Sequence, residues 1–277
     1  MKTMNQILKT SFVLALSILV LSSCDKCKDN SEENSSSAED VLRMDMEEND
    51  FITEELYVSN PCNLDLSQII SSCAVISESS TTFPKTVTID YGTGCLDAKG
   101  RTKKGKVFVY LTGEIQETGS IREVTFENFF INEVQISGAR RAENTGLNAS
   151  DNVVIKVTGN ITATHSDYTR SRTFERYREW TNGFNTCDTQ DDEFLITGSG
   201  TLINRFGKEI PHTIIEPIHV TPGQCNYPLA GRIDVGNSNR GVIIDFGNEN
   251  CDNLAEIILK RRNKTFQVNL DTRTIIH

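Results

Sequence analysis

From about Phe51 onward, apolar and polar residues alternate with a period of two. Val87, Ile89 and Tyr91 interleave with Thr88 and Asp90, and the same alternation recurs at Val153/Ile155/Val157, Ile233/Val235, Val242/Ile244/Phe246 and Phe266/Val268/Leu270. That period places successive side chains on opposite faces of a strand and predicts half-buried β-strands between Gly, Asn and Asp turns. Val107 to Leu111 is a continuous apolar run, as expected of a strand covered on both faces. Four tripeptides, Leu111-Thr-Gly113, Ile136-Ser-Gly138, Val157-Thr-Gly159 and Ile196-Thr-Gly198, place a glycine where a strand ends or bends. The helix candidates are short: Leu64 to Cys73 after Pro61, and Asn253 to Leu259. The pattern predicts an all-β fold, an antiparallel β-sandwich or a barrel-like sheet with long hairpins. The polar stretch Ala139 to Asn152 is the best internal loop, or a boundary between two subdomains.

The first fifty residues follow another pattern. Lys2 and Lys9 precede an apolar run from Phe12 to Leu21, too short to span a bilayer, which ends in Ser22 and Ser23. This is the layout of a secretory signal covering residues 1–23. Residues 24–50 are polar, Ser-rich and acidic, with ten acidic against three basic residues. Such a stretch buries too little apolar surface to offset chain entropy, so it reads as a disordered tether, with at most a frayed helix over Ala38 to Glu48. The folded domain is expected over 51–277. The net charge of −10 is concentrated in the tether, which argues against general nucleic-acid binding.

Leu21-Ser22-Ser23-Cys24 resembles the lipobox of bacterial lipoproteins. The resemblance covers residues 1–24 and implies cleavage before Cys24 and acylation of Cys24, so that the protein is held in the cell envelope by lipid. A charged stretch directly after the lipidated cysteine is similar to the surface-export signals of Bacteroidota lipoproteins. An aspartate at the place of Asp25 is associated in enterobacterial lipoproteins with inner-membrane retention. The outer membrane is favoured here. With the β-rich remainder, the whole resembles the outer-membrane and surface lipoproteins of Bacteroidota. The reading is a non-enzymatic binding or scaffolding role, with a structural or assembly partner of an outer-membrane complex, or an envelope hydrolase, as the alternatives.

Export also fits the cysteines. Besides Cys24 and Cys27 there are six: Cys62, Cys73, Cys95, Cys187, Cys225 and Cys251. A secreted context favours disulfides over metal sites. Two stretches echo one another. Cys73, Val-Thr-Ile-Asp-Tyr-Gly (87–92), Cys95 and Asp97 match Cys225, Val-Ile-Ile-Asp-Phe-Gly (242–247), Cys251 and Asp252. Each set is followed by a basic turn and a strand. A duplicated unit carries the same bridge twice, so the echo predicts Cys73–Cys95 and Cys225–Cys251. Cys62–Cys187 then follows by elimination, and Cys27 is left as a free or intermolecular thiol.

Candidate chemistry is sparse. Asp90, Asp97, Asp245 and Asp252 are weak calcium candidates, since calcium needs several oxygen ligands and no Asp-x-Asp-x-Asp loop is present. Turn capping ahead of the glycines is the simpler reading. The basic turns Arg101 to Lys106 and Lys260 to Lys264 suit an anionic glycan or a lipopolysaccharide phosphate, or are solvated hairpin loops. Arg170 to Trp180 combines arginines with aromatics. Tyr168, Arg176, Tyr177, Arg178 and Trp180 make it the best recognition patch, through stacking and cation–π contacts. The competing reading is an edge hairpin blunted by arginine. Glu175, Glu179, Asp191, Asp192 and Glu193 are the carboxylates a hydrolase would have to pair, and strand sequence cannot pair them. No nucleotide or metal motif occurs, so no cofactor is expected.

Overall fold

The computed structural model describes residues 38–43, 73–97, 100–188, 190–237, 241–262 and 264–276. Fifteen strands run through them: β1 Val75–Glu78, β2 Lys85–Asp90, β3 Cys95–Leu96, β4 Thr102–Leu111, β5 Ile121–Ile131, β6 Val134–Leu147, β7 Val153–Thr164, β8 Thr169–Asn182, β9 Glu193–Ile203, β10 Glu209–Val220, β11 Ala230–Val235, β12 Val242–Asn248, β13 Leu254–Leu259, β14 Lys264–Asn269 and β15 Thr274–Ile275. All described pairings are antiparallel. The strands form one continuous meander from β1 to β15, with β3 added beside β4, and the sheet does not close. This is the antiparallel all-β fold with long hairpins that the alternation predicts. The longest strands, β5 to β10, lie in the middle.

One face carries almost all the buried side chains, and they form a single cluster from Val87 on β2 to Val268 on β14. Residues 38–43 are helical and help to bury it. Ala38, Asp40, Val41 and Leu42 are inaccessible to water. The expected tether held at most a frayed helix over Ala38 to Glu48; residues 38–43 are instead packed into the fold, because Val41 and Leu42 find an apolar surface and Asp40 finds cations. Asp40 meets Arg170 on β8 and Arg205 in the β9–β10 turn, while the adjacent Glu39 accepts a hydrogen bond from the Ile275 amide on β15. β8 and β15 are seven strand steps apart. In a flat sheet that is about 33 Å, well beyond the joint reach of two neighbouring side chains. The sheet is therefore curled, and the helical segment sits at one end of it. Among the described residues no helix is long and apolar enough to cross a membrane.

Three further expectations are corrected. Residues 139–147 are not a loop or boundary but the second half of β6. They read as polar because their inward positions are Arg140, Ala142 and Asn144. Asn253 to Leu259 is not helical but contains β13, whose pairing with β12 and β14 overrides local preference. Arg101 to Lys106 is not a turn but leads into β4, with Arg101 bound to Asp97 and Lys103 buried. The helix candidate Leu64 to Cys73 lies outside the described residues up to Ser72.

The echo is realised in three dimensions. Cys73–Cys95 and Cys225–Cys251 are bonded, each with a Cα–Cα distance of 5.7 Å. Each bridge encloses two paired strands, β1–β2 and β11–β12. Each second strand leads into Asp-aromatic-Gly. Asp90 accepts from the Gly92 amide at 2.8 Å and Asp245 from the Gly247 amide at 2.9 Å. Both glycines have positive φ, which a side chain would strain. Cys187 is disulfide-bonded as well; Cys62 and Cys27 lie outside the described residues. Loops of 22 and 26 residues make each bridge worth about 3 kcal/mol in the chain-entropy model. Urea unfolding of the Cys225→Ser/Cys251→Ser protein checks this, and an unchanged midpoint would count against it.

Candidate functional site

Strand β8 is not an edge. It lies between β7 and β9 at the centre of the sheet, so the edge-hairpin reading of Arg170–Trp180 is corrected. Its alternation sends Arg170, Arg172, Phe174, Arg176, Arg178 and Trp180 to the inner face, and Glu175 and Tyr177 outward. The expected recognition patch is thereby divided. Arg176, Arg178 and Trp180 point inward together. Tyr177 stands on the outer face, donating to Glu175 at 2.6 Å beside Lys156. Tyr168 lies in the β7–β8 turn, its ring stacked on His165 at 4.2 Å.

The pairing register places other cations around the β8 arginines. One lateral row runs Val124, Arg140, Gly159, Phe174, Gly200, His212 and Val235 across seven strands. The next runs Arg122, Ala142, Val157, Arg176 and Gly198. Large and small residues alternate along these rows. The two glycines beside Phe174 are required by packing: a Cβ on Gly159 would lie 2.4 Å from the Phe174 ring, and one on Gly200 would lie 2.8 Å from the His212 ring. Phe174 thus lies over a glycine floor, with the Arg172 guanidinium 4.5 Å and that of Arg176 5.7 Å from its centroid.

The result is a buried arginine belt: Arg122, Arg140, Arg172 and Arg176, with Arg178 at its partly open side. Burial pulls Arg122 and Arg176 down to about 10. Burial, then Arg176 and Arg122, pull Arg178 to about 9. Arg140 is lowered by burial and by Arg178 and Arg176, and Arg172 by burial and Arg176. At 9 to 10, Arg122, Arg176 and Arg178 keep their protons at neutral pH and hold positive charge in a poorly hydrated place. His212 is pushed to about 3 by burial, then by Arg172 and Arg176, and is neutral.

The two ends of β8 differ. At its start, Asp40 accepts from Arg205 Nε at 3.0 and 3.1 Å, with Arg170 at 3.7 Å. Arg170 donates to His165 at 2.8 Å, and His165 is lowered to about 4, by burial first and by Arg170 next. At its far end, Trp180 packs between Phe184 and Phe194 and donates from Nε1 to Asp192 at 3.1 Å. Asp192 is raised to about 6 by burial, with Asp191 and Asp188 adding to the shift. A carboxyl raised in the folded state favours folding when protonated, and that contribution is lost as pH rises from about 4 through about 6. His165 and His212 act in the opposite sense, because groups lowered on folding lose their contribution as pH falls below 6.5. Trp180 fluorescence reads Asp192 locally: it should titrate near pH 6 and stop titrating in Asp192→Asn, and a midpoint near 4 would contradict the shift.

The remaining candidates do not converge. Asp90 pairs with Lys106, Asp97 with Arg101 and Lys103, and Asp245 with Arg232; Asp252 accepts from the Leu254 amide. These contacts follow the turn-capping reading, and among the described residues no three His, Cys, Asp or Glu cluster as for a metal. The carboxylates considered for hydrolysis are engaged separately: Glu175 with Lys156, Glu179 with Asn152, Asp191 with Thr186, Asp192 with Trp180, and Glu193 with His219. Sequence reasoning missed Arg122, Arg140, Phe174 and His212. Parity along β8 carried part of the signal; the rest needed the cross-strand register. No family model matches the chain, and comparison with curated proteins and with solved structures found no match.

Proposed function

We propose that this chain is a lipid-anchored protein of the bacterial cell envelope that binds an anionic ligand at the inner face of its curled sheet, in a binding rather than a catalytic role. The lipobox-like Leu21–Cys24 supports the anchor. The observation that carries the binding role is the arginine belt. It brings Arg122, Arg140, Arg172 and Arg176 together on one buried face, each with a lowered pKa, and perturbed groups cluster at functional sites. Phosphate, sulfate and carboxylate groups match the planar guanidinium fork, so the ligand class is an anion of this kind, carried by a glycan, a lipid or a free acid.

A scaffolding role has one observation in its favour. Among the described residues β1 is the outermost strand of the sheet, with an exposed Val75, which suits strand addition by a partner.

Calorimetric titration of the mature protein with inorganic phosphate, at constant ionic strength, tests the binding reading. Saturable heat that chloride does not reproduce is expected. Absence of such heat with phosphate, sulfate and a sulfated oligosaccharide would overturn it. The mass of the membrane-extracted protein tests the anchor, and an unmodified Cys24 would end that part.

A further inference from the structure

The β9–β10 turn is built to hold an aromatic side chain out in water. The buried Asn204 side chain accepts from the amides of Phe206 and Lys208, both at 3.0 Å, and the Asn204 amide donates to the Lys208 carbonyl at 2.9 Å. These bonds fix the backbone of the tip, and Phe206 on it is 66% exposed. Ile203, just before the tip, is 46% exposed and Ile276 is 45% exposed. A single exposed apolar residue is ordinary, but Phe206 and Ile203 stand exposed at the same turn.

The helical segment reaches both this turn and β15. Asp40 holds Arg205, the neighbour of Phe206, and Glu39 holds the amide of Ile275, the neighbour of Ile276. That segment is also where the tether joins the fold. Thirteen residues separate Cys24 from Ala38, so the lipid lies within about 50 Å of this end whatever path they take. The opposite end of β8 is farther by the length of a strand of 14 residues, about 46 Å.

We infer that the β9–β10 turn is a membrane-contact tip: Phe206, with Ile203 close by in the chain, enters the interfacial layer of the bilayer that carries the Cys24 lipid, and Lys208 reaches up to the headgroups. This rests on the anchor part of the proposed function and is independent of the anion site. One aromatic tip holds a bilayer weakly. Beside a covalent lipid it acts at high effective concentration, and the two together fix which end of the sheet faces the membrane. The aliphatic stem of a lysine lies along apolar surface while its ammonium stays in water. Glu209 adjoins Lys208, so apolar insertion carries the contact rather than net charge.

The test uses full-length, processed Phe206→Trp protein incorporated into vesicles of phosphatidylethanolamine and phosphatidylglycerol with brominated acyl chains. Vesicle flotation reads the anchor. The emission difference from the unsubstituted protein, which shares Trp180, reads position 206. Flotation with a blue-shifted, bromine-quenched signal is expected. Flotation with position 206 emitting as in water overturns the tip while the anchor stands. Failure to float overturns both. In the same background Asp40→Asn should float and lose the quenching. Because position 206 is exposed, the Phe206→Trp result decides by itself if Asp40→Asn does not fold.

Discussion

Replacing Asp40 by asparagine should lower the unfolding free energy by about 3–5 kcal/mol, the loss typical when one partner of a buried ion pair is removed. Asn keeps the shape of the side chain, so the loss isolates the charge. The carboxylate is fully buried and holds Arg205 together with Arg170, itself inaccessible to water. Without it, Arg205 and Arg170 lose the carboxylate they share. The raised pKa of Arg205, caused first by its hydrogen bond to Asp40, reports the same coupling from the other side. Exposed pairs give the comparison: Glu123→Gln, facing Arg141 on the outer surface, should change stability by less than about 1 kcal/mol. Urea unfolding of both variants checks the difference. A cost at Asp40 no larger than that at Glu123 would show that the helical segment is only loosely attached.

The second large effect is expected at Phe174. Truncation to alanine removes a buried ring from the middle of the sheet and should cost about 3–5 kcal/mol. The ring lies against Gly159, and Arg172 and Arg176 stand over it. Its loss therefore opens a cavity and also removes the surface on which two guanidinium groups rest. Leucine fills most of the volume but offers no π face, so Phe174→Leu should recover part of the stability and leave the arginines less well placed. Gly159→Ala attacks the same contact from β7, since the added methyl must displace the ring. Denaturant unfolding measures all three. If Phe174→Ala cost no more than an exposed substitution, the belt would not be a packed unit.

The fold was legible where local chemistry and period agreed. Cys73–Cys95 and Cys225–Cys251 could be paired in advance because the Asp-aromatic-Gly turn recurs before each second cysteine, with Asp97 and Asp252 at the same distance from Asp90 and Asp245. Asn253–Leu259 was misread because Leu254, Ile257 and Ile258 recur at helical spacing as well as lying in an apolar run, and only the flanking strands decide between the two. Residues 139–147 looked like a loop because a strand whose inward residues are Arg140 and Asn144 has no apolar face to read. Asp40 could not be singled out from the acidic residues around it, because its partners lie 130 and 165 positions away. The candidate site was half visible. Arg176, Arg178 and Trp180 share a parity that a strand turns into a shared face. Arg122, Arg140 and His212 join them through the register of β5, β6 and β10, which long-range pairing sets.

The most direct test is Arg178→Met. Arg178 is the belt member nearest the open side, and its guanidinium is pulled to about 9 by burial, Arg176 and Arg122. If the belt exists to bind an anion, removing this charge relieves repulsion in the empty protein. In phosphate-free buffer the unfolding free energy should then rise by about 1–2 kcal/mol, as when apolar side chains replace buried charges. The gain in melting temperature that phosphate gives the unsubstituted protein should shrink at the same time. A variant that loses stability and still responds fully to phosphate would contradict the account and make Arg178 a structural member of the sheet.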